Sequence, residues 1–300
     1  MKTRTSRYAL CALSLLAAGS AQAFTTAVGE PDSLETFMFA DDFERATSGA
    51  FDDLAAGNAA NAAVASATAG AGATIGASLD FERIKVNGRT VETTSIPLSY
   101  TMRSDIDPRR QTVVSTRLFN SRTSGVDTVG AVVGLAFRRP VNDQWTLVPA
   151  VSYGYVDFSN GDATGGSYAA SLASVYRIRV DRYEIALANQ IGHYRTLEYR
   201  GAAIGKFRPD INNTVARNGI VVSIPTVLAD RKLSTEVSYT RTDTLTGHRA
   251  TNVDYYNEIG VTLGNNRRLA NGRSFVRGGL TYVDGQGDVH GLRAKIGYWF

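Results

Sequence analysis

From Ile75 onward the chain alternates apolar residues with small or polar ones, in stretches of about nine to fourteen residues closed by turn residues. A strand with one face set apart from the other has this period of two. The last stretch shows it plainly: Leu292, Ala294, Ile296, Tyr298 and Phe300 share one face, and Gly291, Arg293, Lys295, Gly297 and Trp299 the other. Trp145, Leu147, Pro149, Val151, Tyr153 and Tyr155 form a similar stripe, as do Val129, Ala131, Val133, Leu135 and Phe137. The pattern predicts twelve strands, at 75–86, 89–102, 111–120, 128–139, 144–157, 166–179, 182–194, 213–225, 231–243, 253–265, 273–284 and 289–300. Asn87-Gly88 between the first two is the residue pair of a tight hairpin turn.

Two architectures have half-buried strands. A soluble sandwich points its apolar face inward and fills its centre with large side chains. Here the second face carries Gly, Ala, Ser, Thr and scattered charges: Arg177, Arg182, Glu184, Arg217, Glu236, Glu258, Arg277, Arg293 and Lys295. A barrel in lipid inverts the rule, with apolar residues outside and polar ones lining the lumen. It must also close, because an open sheet edge in hydrocarbon leaves backbone groups unpaired. The expected fold class is therefore all-β: a closed antiparallel transmembrane β-barrel of about twelve strands.

The first 74 residues read differently. Lys2, Arg4 and Arg7, an apolar run from Tyr8 to Ala18, and Ala21-Gln22-Ala23 make residues 1–23 a secretory signal peptide. The one cysteine, Cys11, lies inside it, so the expected mature chain has no disulfide and no thiolate chemistry. Residues 24–74 form an acidic segment and then a small-residue segment, and the barrel spans 75–300. Asp32 to Leu54 predicts a short helix with Ser33 as N-cap. Ala55 to Thr74 is nearly all Ala, Gly, Asn, Ser and Thr, with nothing large enough to build a core.

Charge divides the same way. Phe24 to Ala56 holds eight acids against Arg45 alone, a net −7, whereas the remainder beyond the signal carries 28 cations against 20 acids. An acidic arm thus precedes a basic body. Opposite charges attract strongly in a partly dehydrated lumen, and lumen residues such as Ala169, Ser171, Ala173, Ala186, Ala188 and Gly192 leave room. The favoured expectation is that the arm folds back and plugs the barrel. The alternatives are a small open or gated pore favouring anions, and an arm that works outside the lumen.

The closing strand ends on an aromatic with apolar residues at every second position before it: Leu292, Ile296, Tyr298, Phe300. This resembles the C-terminal signal by which outer-membrane barrels are recognised by the barrel-assembly machinery. PLSYTMRSDIDPRRQ (97–111), RPDINNTVARNGIVVS (208–223) and DYYNEIGVTLG (254–264) resemble a family of solitary autotransporter-like outer-membrane barrels. The resemblance covers most of 75–300 and implies a translocator-type barrel integral to the outer membrane of a Gram-negative bacterium. It assigns no activity. Autotransporters carry a large passenger upstream, whereas only residues 24–74 would stand before this barrel after cleavage.

Catalysis is not expected. A rival reading is a hydrolase at the outer rim, with His193, His248 or His290 near Asp243, Asp284 or Asp288 serving as a general base. No recognised catalytic motif accompanies them. Asn58 and Asn61 would suit self-cleavage within the barrel, but a stretch of small residues fitted to a narrow lumen explains them more simply. No cofactor, metal site or nucleic-acid partner is expected. Partners are outer-membrane lipid and lipopolysaccharide, whose phosphates Arg195, Arg200, Lys206, Arg208 and Arg249 could meet, and the assembly machinery; the barrel itself is expected to be monomeric.

Overall fold

A computed structural model describes residues 73–86, 88–107, 109–123, 126–158, 163–201, 205–207, 212–228, 231–246, 253–265 and 275–299. The long strands are β1 (Ala73–Val86), β2 (Arg89–Arg103), β3 (Gln111–Thr123), β4 (Val126–Pro140), β5 (Trp145–Phe158), β6 (Ala163–Val180) and β7 (Tyr183–Thr196). After a short hairpin, β8 (Tyr199–Gly201) and β9 (Gly205–Phe207), come β10 (Asn212–Leu228), β11 (Arg231–Thr246), β12 (Tyr255–Asn265), β13 (Phe275–Gly285) and β14 (Val289–Trp299).

Every pairing is antiparallel, each long strand with its neighbour in sequence, and β7 with β10 across the short hairpin. β1 pairs with β14 over Gly76↔Trp299 to Lys85↔His290, which closes the sheet into a barrel of twelve long strands. All twelve stand where alternation placed them, with ends shifted by at most three residues. β7 starts at Tyr183 and β12 at Tyr255, so Arg182 and Val253 fall in connections. β1 begins at Ala73 and so takes in the end of the small-residue run. The β8–β9 hairpin was not predicted, since three-residue strands carry no periodic signal; β8 extends the outer edge of β6 through Ala163↔Gly201. The expected helix at 32–54 lies outside the described residues.

The two faces separate as expected for a barrel in lipid. Leu280, Leu292, Ile296 and Ile259 point outward and are 62%, 58%, 56% and 54% exposed. Ser95, Ser152, Gln190, Arg217, Glu236 and Glu258 point inward and are buried. Among the described residues no helix is long and apolar enough to cross a membrane. The crossing elements are strands of 11 to 18 residues, long enough for tilted passage.

We call the end where β1 starts the inner end. Its 104–110 turn is held by the Arg110 amide donating to the Asp107 carbonyl at 2.8 Å and the Ser104 amide to the Arg110 carbonyl at 3.0 Å. The Arg109 guanidinium donates to Asp107 at 3.1 Å and to Asp143 of the next turn at 2.6 Å. That hydrogen bond holds the Asp107 carboxyl below its ordinary 3.8. A depressed folded-state value stabilises the turn above the unfolded pKa, and that stabilisation is lost as pH falls through the folded one. Protection of the Ser104 and Arg110 amides, relative to intrinsic exchange at each pH, is therefore expected to fall below about pH 4; protection unchanged at pH 2 to 3 would show that the ion pair does not hold the turn.

Candidate functional site

The lumen has two unlike walls. On one, β10 to β14 and β1 carry a connected set of buried charges. Arg217 donates to Glu258 at 2.6 Å, Arg293 donates to the other oxygen of Glu258 at 2.8 Å, and Arg293 also donates to Glu82 at 2.7 Å. The set runs β10–β12–β14–β1, so Arg217 and Arg293 each reach Glu258 past an intervening strand. They reach across Thr240 and Thr242 of β11, and across Thr281 and Val283 of β13, side chains short enough to pass over. A Cβ at Gly260 would stand 2.6 Å from Ser238 Oγ, so that position is already filled by its neighbours.

Toward the inner end, Arg277 lies 3.3 Å from Glu236 and donates to Thr262 Oγ1 at 2.8 Å and to Ser234 Oγ. Lys295 sits 3.7 Å from Asp80. Side chains in this set are mostly 3–6% exposed, so water screens them little. Cross-linking of this kind holds strands together through the lumen as well as through the backbone ladder.

The opposite wall, β3 to β7 with β10, is small and apolar. Val113, Ala136, Val148, Ala150, Ala173, Val175, Ala186, Ala188 and Val221 form one buried cluster along its inner half. Four cations border it: Arg103, Arg117, Arg138 and Arg177, all on lumen-facing register positions. Arg138 donates to Gln111 at 2.8 Å, and Arg179 lies 3.6 Å from Glu184 at the rim. At the outer end Ile84, Val86, Val91, Tyr256, Val283 and Val289 form a second buried apolar cluster, and Val253 from the β11–β12 connection packs into it.

Arg177, Glu184, Arg217, Glu236, Glu258, Arg277, Arg293 and Lys295 of the sequence reading face the lumen. Arg182 does not. It sits exposed in the Asp181–Arg182 turn, over the outward ring of Tyr183 at 5.2 Å. The alternation was right in phase but ran one residue past the strand. Asp80, Glu82, Arg117 and Arg138 were overlooked, although each is a charge at an inward position of a correctly placed strand, and Arg103 stands one residue past the predicted end of β2. Leu292, Ile296 and Tyr298 line the lipid face of β14; Phe300 lies outside the described residues.

The histidines do not converge. His193 Nδ1 meets Thr214 Oγ1 at 3.1 Å on the outward face of β7. His290 lies 3.3 Å from Asp288, but Asp288 also takes Lys85 at 3.0 Å, and that contact holds its carboxyl below the ordinary range. His248 lies outside the described residues. No group of His, Cys, Asp or Glu that could hold a metal occurs among the described residues.

Similar solved structures share this architecture. The translocator domain of the autotransporter NalP from Neisseria meningitidis superposes with a TM-score of 0.67 at 11% identity, over 89% of this chain and 97% of that one. The chain has the fold of an autotransporter translocator barrel. The β-domain of the Bordetella autotransporter BrkA gives 0.57 at 13% identity, over 76% of this chain and 98% of that one. No protein-family model matches the chain, and no curated protein does. Sequence identity at this level relates folds and not functions.

Proposed function

We propose that this is a plugged outer-membrane barrel with a structural or permeability role, in which the acidic arm and small-residue segment before β1 occupy the lumen. The observation that carries the reading is the dryness of the small-residue wall. Ala173, Val175, Ala186 and Ala188 are 2%, 3%, 5% and 1% exposed, although they face the lumen. Eight strands leave an interior just wide enough for side chains to fill, and the diameter grows with strand number. Alanines and serines in a twelve-stranded barrel cannot meet across the gap, so an open water-filled channel would wet them.

Charge and size support the same occupant. Residues 24–56 carry a net −7, and the wall they would meet is bordered by Arg103, Arg117, Arg138 and Arg177. The Ala/Gly-rich run leading into Ala73 matches the small-residue wall, and β1 starts at the inner mouth, where a returning arm would enter. The outward aliphatic face of β14, with Leu292, Ile296 and Tyr298, supports handling by the barrel-assembly machinery.

Thiol accessibility tests the plug. In a Cys11→Ser background, Ala173→Cys and Ala188→Cys are expected to react slowly with a charged, water-soluble maleimide in the full chain. Deleting residues 24–72 should speed both by roughly a hundredfold, the protection expected from a buried site that opens only locally. Fast labelling in the full chain would eliminate the plug.

A further inference from the structure

The lipid face of the barrel is interrupted on β7 and β10 by a pair of carboxamides. The outward stripe of β7 reads Tyr183, Ile185, Leu187, Asn189, Ile191, so a carboxamide stands near the middle of a strand that spans Tyr183–Thr196. On β10 (Asn212–Leu228) the outward residue next to Ile220 is Asn218, also near mid-strand. Asn189 and Asn218 are register partners, so the two carboxamides stand side by side, and both are exposed. Around them Leu172, Leu187, Ile191, Ile220 and Val237 present apolar surface.

The polar side chains flanking this pair have partners within the barrel. Ser174, the neighbour of Asn189 on β6, accepts from Trp145 Nε1 at 2.8 Å. Arg241, the neighbour of Asn218 on β11, lies 2.8 Å from Asp243 and over the ring of Tyr255 at 4.4 Å. Asn257 accepts from Tyr239 Oη at 2.8 Å. Among the described residues neither Asn189 nor Asn218 makes a side-chain hydrogen bond. Hydrocarbon offers them none, and an unsatisfied amide there is costly.

We infer that the Asn189–Asn218 pair is the centre of a lateral interface with a second copy of this chain. A carboxamide brings two donors and an acceptor oxygen, so the pair is complementary to itself. A two-fold axis through it sets each pair against the other, as an isologous interface requires. Amide side chains hydrogen-bond across segments within membranes in this way. The patch has no net charge, because Arg241 is matched by Asp243, so it favours a neutral, self-matching face over a charged partner. The surrounding aliphatic residues then pack against their own counterparts. This departs from the monomer expected from sequence, where alternation marks Asn189 and Asn218 only as outward positions.

Cross-linking in bilayers decides it. In the full chain with Cys11→Ser, an introduced thiol is the only one in the protein. Ile191→Cys should give a covalent dimer with a short bis-maleimide at low protein density, and Leu79→Cys on the outward face of β1, across the barrel from β7 and β10, should not. Adding Asn189→Leu and Asn218→Leu should cut dimer yield by about tenfold, the loss of roughly one good hydrogen bond's association energy. Leucine suits a lipid-facing site, and heat-modifiable gel mobility checks that each variant is folded. Equal yields from both walls, a yield indifferent to the leucines, or cross-links only to other membrane proteins would each overturn the proposal.

Discussion

A barrel lacking residues 24–72 is expected to pass current in a planar bilayer, with anions favoured over cations, whereas the full chain is expected to be silent. The preference follows from which cations the vacated lumen would display. Arg103, Arg138 and Arg177 stand at the inner ends of the alternate strands β2, β4 and β6, and Arg117 stands above them on β3. The acids of the opposite wall are already engaged: Glu258 by Arg217 and Arg293, and Glu236 by Arg277. Rings of cations select anions in narrow pores because the ion replaces hydration with close charge. Arg138→Glu with Arg177→Glu in the truncated protein should reverse the selectivity. Reversal potentials under a salt gradient report the sign. Equal currents with and without the arm would make the chain a small open pore and remove the plug. Silence in a folded truncation would place the barrier in the wall itself, at the apolar cluster around Val86, Val283 and Val289.

Replacing Glu258 with alanine should destabilise the barrel by about 3 kcal/mol, the lower end of what breaking a buried ion pair costs. One carboxylate is shared by Arg217 and Arg293; Arg217 and Glu258 are buried and Arg293 is largely so. Removing it leaves two guanidiniums facing each other without the acid that separates them; Arg293 retains Glu82. The paired change Arg217→Met with Glu258→Leu should cost much less, because it removes both the charge and its partner. Urea titration of the folded barrel in lipid vesicles, followed by heat-modifiable mobility, gives the comparison. Should the single variant unfold at the wild-type midpoint, the Glu82–Arg293–Glu258–Arg217 set would be a lining without structural weight.

The twelve long strands and their inward and outward faces were determined by sequence alone, because a side-chain period of two records the face of every residue directly. So was the inverted character of those faces: Leu280 and Ile296 outside, Ser95 and Gln190 inside, follow from which solvent each side meets. Arg182 shows the limit. One residue of error at a strand end moves a charge from the lumen wall to a turn, and end positions depend on hydrogen bonding, not on alternation. The tertiary structure alone decided which charges meet. Glu82 and Arg293 are 211 positions apart in the chain, and their pairing depends on the register by which β1 closes on β14. It alone also placed Asn189 beside Asn218, across a connection that contains another hairpin. Alternation tells each strand which way a side chain points; only closure of the barrel tells it what stands alongside.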